Sequence, residues 1–368
     1  MSMDNLKIYR DFLRKCKDKE KLKPRTIKNT IQVLNPFIEF LGDRQITEEI
    51  VYDYTATFDE ITFKRRGKVK KYEESTIYFI ESTLKKFLTF YSPDLKDILK
   101  PKMPERNEPG QLITGKDIEK LIDSCRSTRD KALISFLYES GCRKGELRAL
   151  QLSDLTFDEN GAIVTIPAKK TKARTVRLVY SASYLRQWKE THPLVNQPDA
   201  ALFCSLREPF ETISNTGLHT QLKKITKRTG INKNIFPHLF RHTRATELAD
   251  HLTEQQMKNY LGWTKSSSMA AVYVHMKDTD KAILRMHGIV TDDTEKGGLK
   301  VGRCHRCKEL NPETSLYCGK CGLPLTTETI NTLEKGKETV SSALAELEAL
   351  DPELIQNLVK ALKEKSNK

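Results

Sequence analysis

Apolar residues recur at helical spacing along most of this 368-residue chain, and this period constrains the fold more than any other feature. In the first hundred residues, Leu34, Ile38 and Leu41 share one helical face, and Gly42 follows as a stop signal. The stretch 77–88 repeats the pattern. Each apolar stripe must be covered by another element. The sequence therefore predicts a mainly α fold, with residues 1–100 all-helical.

A short departure from this period indicates where the chain changes to β structure. Residues 162–166 and 175–179 have the composition of strands and flank a lysine-rich turn. They predict a small β-hairpin inside an otherwise helical domain. A proline-rich stretch at 101–110 is typical of an interdomain linker, and two glycines at 297–298 mark a further boundary. The expected order is a helical domain over 1–100, a linker over 101–110, a second domain over 111–290, a cysteine module over 300–326 and a helical tail over 327–368, with helices at 332–350 and 352–365.

The charge balance indicates a polyanionic partner. Lys and Arg number 63 against 49 Asp and Glu, a formal net charge of +14, which suits nucleic acid or a membrane surface. No apolar run could span a bilayer and the N-terminus lacks a signal-peptide core. We therefore expect a cytoplasmic protein without a membrane partner. The basic segment 63–71 is either a solvated loop or a phosphate contact.

Four of the eight cysteines are clustered as Cys304, Cys307, Cys318 and Cys321. Two residues separate the members of each pair, which lets the backbone turn around a tetrahedral ion. Four thiolates favour zinc, with iron the minor alternative. All four ligand positions are filled, so the metal is expected to be structural. The pattern resembles a zinc ribbon, which would bind either DNA or, together with the tail, another protein.

A second group of residues is suited to attack on a phosphodiester. Such attack gathers negative charge on the non-bridging oxygens, and guanidinium groups donate paired hydrogen bonds to them. Arg143 and Arg241 would supply two guanidiniums. His238 lies three residues before Arg241 and shares its helical face. Taken singly, each has an ordinary structural explanation, such as a hydrogen-bonded histidine or a surface ion pair.

Tyr273 is the candidate nucleophile. A phenol with a pKa of about 10 is ionised in about one molecule in a thousand at pH 7, a cost of about 4 kcal/mol. Nearby arginines lower this cost, and His238 would accept the proton. The leaving 5′-oxygen needs a proton donor, which Lys169 or Lys170 on the hairpin turn would provide. No carboxylate cluster has nuclease-like spacing, so no catalytic metal is expected.

Three motifs in this order resemble the conserved boxes of the tyrosine recombinases, or phage-type integrases: Gly141-x-Arg143-x-x-Glu146, His238-x-x-Arg241-His242, and Leu261-Gly262-Trp263 followed by Tyr273. The resemblance implies a 3′-phosphotyrosyl link on Tyr273, so that rejoining needs no ATP. It also implies a helical N-terminal domain and a catalytic domain that clamp double-stranded DNA, and four protomers on two paired sites. The ribbon and the Leu-Gly-Trp sequence favour archaeal integrases.

Two details of the resemblance leave roles open. Most members have histidine where this chain has Trp263, whose indole donates a hydrogen bond but cannot shuttle a proton. Trp263 is therefore expected to orient phosphate or to pack beneath the site. The family pattern Lys-Gly-x-Lys-x-Arg selects Lys169 and a Lys-Thr pattern selects Lys170, and we prefer Lys169. His242 is expected to be structural.

The preferred function is that of a site-specific DNA recombinase or integrase. The alternative is a catalytically silent DNA-binding protein on the same scaffold, with the ribbon as an interaction module. A type IB topoisomerase shares the chemistry and would relax supercoils without site preference. Integration, excision, resolution and inversion all remain open as the biological outcome.

Overall fold

The computed structural model describes residues 3–59, 62–65, 68–104, 111–167, 173–275 and 299–348. The chain divides into two compact units, Met1–Glu108 and Pro109–Lys368. The boundary falls inside the proline-rich stretch 101–110, of which residues 105–110 lie outside the described ranges. Helices dominate both units and the sheets are small and antiparallel, which confirms the predicted fold class.

The first unit has a helical core. Leu34, Phe37 and Leu41 on the second helix pack with Leu84 and Phe87 on the fourth, and all five are buried. The described elements are α1 Met3–Asp18, α2 Pro24–Leu41, α3 Glu48–Ala56, β1 Thr62–Arg65, β2 Lys68–Lys71 and α4 Glu74–Tyr91.

The expectation that residues 1–100 are all-helical was wrong at the basic segment. Strands β1 and β2 pair antiparallel there, with Phe63 opposite Lys70 and Arg65 opposite Lys68. Thr62, Phe63 and Val69 favour strands. The surrounding lysines and arginines made this preference hard to recognise, because the segment has no regular spacing of apolar residues. The segment is therefore a basic hairpin.

The second unit is built around α6, an apolar helix with residues such as Leu133 and Phe136 fully buried. The first helix of this unit, Gly115–Asp123, is N-capped by Thr114 in a capping box with Asp117. The elements up to residue 275 are α5 Gly115–Asp123, α6 Thr128–Ser140, α7 Lys144–Leu147, β3 Leu155–Asp158, β4 Gly161–Ile166, β5 Arg174–Leu178, α8 Ala182–Glu190, α9 Asn215–Thr229, α10 Pro237–Leu248, α11 Glu254–Leu261 and α12 Met269–His275.

The predicted hairpin is confirmed as strands β4 and β5, closed by the pair Ile166 and Arg174. A third strand, β3, pairs with β4 on its other edge, and the prediction that the rest of this domain is helical was wrong there. Leu155 and Phe157 are the apolar residues of a four-residue strand, too few to show a period of two.

The cysteine module contains strands β6 Val301–Arg303 and β7 Leu310–Pro312, followed by α13 Thr327–Glu348. The tail helix was predicted from residue 332 and begins earlier, because the Thr326 hydroxyl accepts a hydrogen bond from the Thr329 amide and caps its first turn. The second predicted tail helix, 352–365, lies outside the described residues. No described helix is both long and apolar enough to cross a bilayer.

Candidate active site

The structure brings the recognised residues of the three motifs together around one cavity of about 330 Å³. Its described lining contains five cationic or titratable groups from the motifs and no carboxylate. The lining residues are Arg143, His238, Arg241, His242, Trp263, Thr264, Ser267, Met269 and Tyr273. Residues more than a hundred positions apart in the sequence thus meet at one place.

Backbone carbonyls at two helix ends hold both arginines. Arg241 is 3% exposed and donates to the carbonyl oxygens of Gly141 at 2.9 Å and Leu261 at 2.7 Å. Both terminal nitrogens of Arg143 lie 3.2 Å from the carbonyl oxygen of Gly262. The last carbonyls of a helix lack intrahelical partners and carry the negative end of its dipole. The C-termini of α6 and α11 therefore stabilise and orient the guanidinium groups.

Glycine is required at both helix ends. Gly141 and Gly262 are C-caps with φ of 54° and 63°, in the left-handed region that disfavours other residues. A Cβ at Gly262 would lie 2.6 Å from Nη1 of Arg174. These glycines let the chain turn where its carbonyls meet the arginines.

Glu146 fixes Arg143, the more exposed arginine of the pair. Its carboxylate accepts from Arg143 Nη1 at 2.8 Å and from Arg174 Nη2 at 2.9 Å, and also from the Arg143 amide at 2.9 Å. Burial opposes ionisation, but the hydrogen bonds from Arg174 and Arg143 outweigh it and lower the pKa of Glu146 to about 2. Glu146 is therefore charged at neutral pH and holds Arg143 at the cavity.

Helix α10 places the second motif. Pro237 occupies its first turn, where the missing amide donor is not needed. His238 is solvent-exposed, yet the partial burial of its ring and the neighbouring His242, Arg241 and Arg143 lower its pKa to about 4. Burial and Arg143 likewise lower the pKa of Arg241 to about 9. At pH 7, His238 is thus neutral and Arg241 is charged.

Tyr273 is packed inside the site on α12, with 4% of its surface exposed. Its ring stacks on Trp263 with centroids 5.8 Å apart and planes 14° apart. The guanidinium carbon of Arg241 lies 5.4 Å from the Trp263 ring centroid. Trp263 thus packs against both the tyrosine and the arginine. This contact corresponds to the packing role expected for Trp263. Its second expected role, orienting the phosphate, stays a prediction.

Sequence reasoning missed the contact of His242, which was expected to be structural. His242 Nδ1 and Tyr273 Oη are 2.5 Å apart, within hydrogen-bond distance. The two histidines of α10 also touch edge to face, with ring centroids 4.6 Å apart. Their spacing of four residues on one helical face was the available signal.

The candidate lysines, Lys169 and Lys170, lie outside the described residues. The strands that flank them are described, and β5 begins at Arg174, whose Nε donates to the carbonyl oxygen of Tyr260 at 2.7 Å. The base of the hairpin is therefore attached to α11, the helix that also holds the arginines.

The four clustered cysteines form a separate candidate metal centre. Their Sγ atoms all lie within 4.8 Å of one another. Cys304 and Cys321 are 3.7 Å apart and Cys307 and Cys318 are 3.5 Å apart. With Zn–S bonds of about 2.3 Å, a tetrahedral site has S···S edges of about 3.8 Å. Asn311 supports the site by donating to Cys318 Sγ at 3.6 Å. This group could hold a metal ion.

The cysteine module packs against the body of its own unit. Arg186 on α8 pairs with Glu309, which is 6% exposed, at 3.0 Å. Arg303 donates to the carbonyl oxygen of Glu159, on the turn between β3 and β4, at 3.1 Å. Arg186 also stacks on Phe157 at 4.3 Å. The module therefore packs against α8 and the β3–β4 turn. A cavity of roughly 700 Å³ is lined by residues of both sides of this contact.

Residues 111–280 match the model of the phage integrase family. Over this region the chain is similar to the tyrosine recombinases. This assignment agrees with the arginine, histidine and tyrosine positions at the cavity. Among curated tyrosine recombinases, XerC of Haemophilus ducreyi is 30% identical over 177 residues, covering 48% of this chain and 55% of that protein. XerC of Haemophilus influenzae is 26% identical over 287 residues, covering 74% of this chain and 92% of that protein.

Solved structures show the same fold. The Tn1549 transposon integrase, in complex with circular intermediate DNA, has a TM-score of 0.57 at 17% identity, covering 77% of this chain and 99% of that chain. A lambda integrase dimer bound to a core site has a TM-score of 0.52 at 15% identity, covering 72% of this chain and 76% of that chain. The tyrosine recombinase fold of this chain is thus established, and its archaeal origin stays a prediction.

Proposed function

We propose that this chain is a tyrosine recombinase, a site-specific DNA recombinase or integrase that cleaves and rejoins DNA through a 3′-phosphotyrosyl intermediate on Tyr273. The observation that supports this most directly is the meeting of Arg143, His238, Arg241 and Tyr273 at one cavity. The cavity lining is cationic, which suits a phosphodiester. The XerC proteins and the transposon integrase are named as recombinases and integrases.

In the proposed reaction the two arginines bind the scissile phosphate. A guanidinium has five N–H donors, and the two hydrogen bonds of Arg241 to carbonyl oxygens leave donors for a phosphate. The side chain of Arg143 is 29% exposed, and its ion pair with Glu146 holds it in place. The charges are already in place before DNA binds, so they stabilise the pentacovalent transition state without reorganising.

The nucleophilic step is balanced by two proton transfers. The Tyr273 oxygen forms a bond to phosphorus and loses its proton, while the bond to the 5′-oxygen breaks. The leaving 5′-oxygen takes a proton from a lysine of the β4–β5 turn, for which we propose Lys169 and, as the alternative, Lys170. The phosphodiester bond energy is kept in the tyrosyl ester. Rejoining reverses these steps and needs neither ATP nor a catalytic metal.

A covalent adduct tests this proposal without a known recognition sequence. The full chain is incubated with sheared DNA of the encoding organism and denatured, and the bound DNA is sequenced. Mass spectrometry of the digested protein should find a nucleotide on the peptide that contains Tyr273. The Tyr273→Phe variant should give no adduct. The matched control is Tyr317→Phe, because Tyr317 is an exposed tyrosine of the cysteine module.

Other outcomes separate the alternatives. DNA binding without any adduct would support the catalytically silent DNA-binding protein. An adduct spread over all sequences, together with relaxation of any supercoiled plasmid, would support a topoisomerase. An adduct at a different tyrosine would contradict the proposed nucleophile.

We further propose that Cys304, Cys307, Cys318 and Cys321 bind structural zinc. Support comes from the four sulfur atoms, whose spacing fits a tetrahedral thiolate site. Elemental analysis of the purified chain should give one zinc ion per chain and Cys321→Ser should lose it. Iron in place of zinc would contradict the proposal.

The proposed assembly is a tetramer on two paired DNA sites, in the cytoplasm and at the nucleoid. We propose that the tail helix α13 contributes to this assembly, because Ile330, Leu333 and Val340 are exposed on one of its faces. Leu333→Lys should reduce the tetramer observed by analytical ultracentrifugation on the mapped site. The control is Asn331→Lys on another face of α13, and equal tetramer levels in both variants would exclude this role of the tail.

A further inference from the structure

We propose that the surface around Lys308 and Lys320 of the cysteine module is a second DNA-contact site, which binds phosphates of the DNA backbone away from the scissile one. This inference rests on DNA as the proposed substrate, but not on cleavage by Tyr273. It assigns DNA, and not protein, as the partner of the ribbon, and it leaves assembly to α13.

Four cations converge at the cavity between the module and the β3–β4 turn. They are Arg186, Arg303, Lys308 and Lys320. Among the described residues, this cavity and the active-site cavity have no lining residue in common. A phosphate bound here is therefore not the phosphate that Tyr273 attacks.

Two of the three carboxylates in this lining are already neutralised. Glu309, which is buried, accepts from Arg186 Nε at 3.0 Å and from Arg186 Nη2 at 3.3 Å. Asp158 accepts from Arg177 at 2.5 Å. The third carboxylate belongs to Glu159. Three of the four cations are therefore left opposite a single carboxylate, which gives the cavity an excess of positive charge.

The three remaining cations keep their charge available to a ligand. Arg303 donates to the carbonyl oxygens of Glu159 and Lys308, each at 3.1 Å, and these acceptors are uncharged. The side chain of Lys320 is 48% exposed and lies 4.0 Å from Glu309, at the limit of an ion pair. Lys308 is exposed. An anion that enters the cavity thus meets cations whose charge is not already offset.

The lining suits a polyanion better than a small molecule. Small-molecule pockets are lined mostly by apolar side chains. The aromatic side chain of this lining, Phe157, is covered by the Arg186 guanidinium at 4.3 Å. A lysine ammonium is a point charge on a flexible stem, and it binds phosphate without a fixed geometry. Such contacts position DNA without reading its sequence.

The backbone at Lys308 gives independent support for a function of its side chain. Lys308 directly follows the second cysteine of the first pair and has φ of 60°, and Gly322 directly follows the second cysteine of the other pair and has φ of 69°. Both amides close the same turn, to the carbonyl oxygens of Cys304 and Cys318. A side chain is strained at this φ, whereas glycine is not. Such strain points to a functional use of the residue, here a phosphate contact.

The docked module presents these cations from a fixed position. Gly319 approaches α8 so closely that a Cβ would lie 2.8 Å from Gln187 Nε2 and 3.1 Å from Ser183 Cβ. The buried pair of Glu309 and Arg186 holds the same contact. Because the backbone of the module is ordered before DNA arrives, little freedom is lost on binding.

An acidic protein helix is the competing ligand, and α13 of a second copy is the nearest example. Its 22 residues contain five glutamates and two lysines, a net charge of −3. Spread over a helix of about 33 Å, this is roughly one charge per 11 Å, whereas duplex DNA carries one charge per about 1.7 Å. The denser polyanion is the better match for clustered cations.

The salt dependence of binding to random-sequence DNA tests the inference without a known recognition site. The full chain carrying Tyr273→Phe, which prevents cleavage, is titrated with a long duplex at several salt concentrations. Each phosphate contact contributes about 0.9 to the slope of log K against log salt. Lys308→Gly with Lys320→Gln should therefore flatten the slope by about 1.8. The matched control, Lys335→Gln with Lys337→Gln on the exposed side of α13, removes the same charge and should keep the original slope.

Two single variants exclude misfolding as the cause. Lys308→Gly should keep or raise the melting temperature, because it relieves the strained φ, and yet it should weaken DNA binding. Glu159→Gln should tighten DNA binding, because it removes the opposing carboxylate. Tighter binding is not a result of misfolding.

The remaining outcomes decide against the inference or against the proposed function. An unchanged salt slope in the double variant, or weaker DNA binding in Glu159→Gln, would overturn the DNA contact. An unchanged slope together with weaker self-association would show that the surface binds a second copy. A chain that binds no DNA before any substitution would overturn the proposed function itself.

Discussion

Replacing Glu146 by glutamine should destabilise the second unit by about 3 kcal/mol at pH 7. Glu146 is buried between Arg143 and Arg174, and its pKa falls from 4.5 to about 2 in the folded chain. A carboxyl whose pKa falls from 4.5 to about 2 on folding contributes about 3 kcal/mol of folding free energy at pH 7. Loss of one partner from a buried ion pair costs about the same, 3–5 kcal/mol. The glutamine keeps the shape and removes the charge.

The pH dependence gives this prediction its sign. A folded pKa below the unfolded value means stabilisation that is present above about pH 4.5 and is lost as the pH falls toward about 2. In urea unfolding followed by fluorescence, the advantage of wild type over Glu146→Gln should shrink by about 2 kcal/mol between pH 7 and pH 3.

The matched control is Asp158→Asn. Asp158 also accepts from an arginine, at 2.5 Å from Arg177, but both side chains are exposed, and exposed ion pairs contribute about 0–1 kcal/mol. If Glu146→Gln and Asp158→Asn change the unfolding free energy equally, the buried charge of Glu146 does not stabilise the site and the reasoning is refuted.

Three further predictions concern the site and the metal centre. Gly262→Ala should abolish adduct formation and lower stability by about 1 kcal/mol or more, since its Cβ would lie 2.6 Å from Arg174; adduct yield and thermal melting measure both. Cys318→Ser should lose the metal and lower the melting temperature, as elemental analysis and calorimetry would show. DNA binding should tighten as the pH falls toward about 4, because a bound phosphate raises the pKa of His238, which is about 4 without DNA, and salt-matched titrations of His238→Ala should lose this dependence.

The sequence predicted the chemical groups of the site because the reaction requires them and their chain order is informative. It also placed His238 and Arg241 on one helical face, and both lie on α10. It did not predict what holds the arginines. The acceptors are backbone carbonyls of Gly141, Leu261 and Gly262, and every residue has a carbonyl. Which helix ends converge is decided by packing of distant segments.

The same limit applies to the two histidines of α10. His238 and His242 lie one turn apart on α10, and both face the cavity. Their order along the chain gives no sign of which one touches α12. That choice depends on how α12 packs against α10, where Tyr273 joins a small core with Ala245, Leu261 and Ala270. Motif spacing therefore identifies a functional helix face more reliably than it assigns roles within that face.

The cost of assembling cations explains why this site needs both a buried carboxylate and helix ends. Burial and the neighbouring Arg143 guanidinium lower the pKa of Arg241 to about 9. Glu146 offsets part of this repulsion, and the carbonyls of α6 and α11 offset another part without adding a full negative charge at the cavity. A carboxylate in the lining would have stabilised the empty site more, but it would repel the phosphate. The arrangement keeps the negative groups behind the arginines and leaves their outer side for a polyanion.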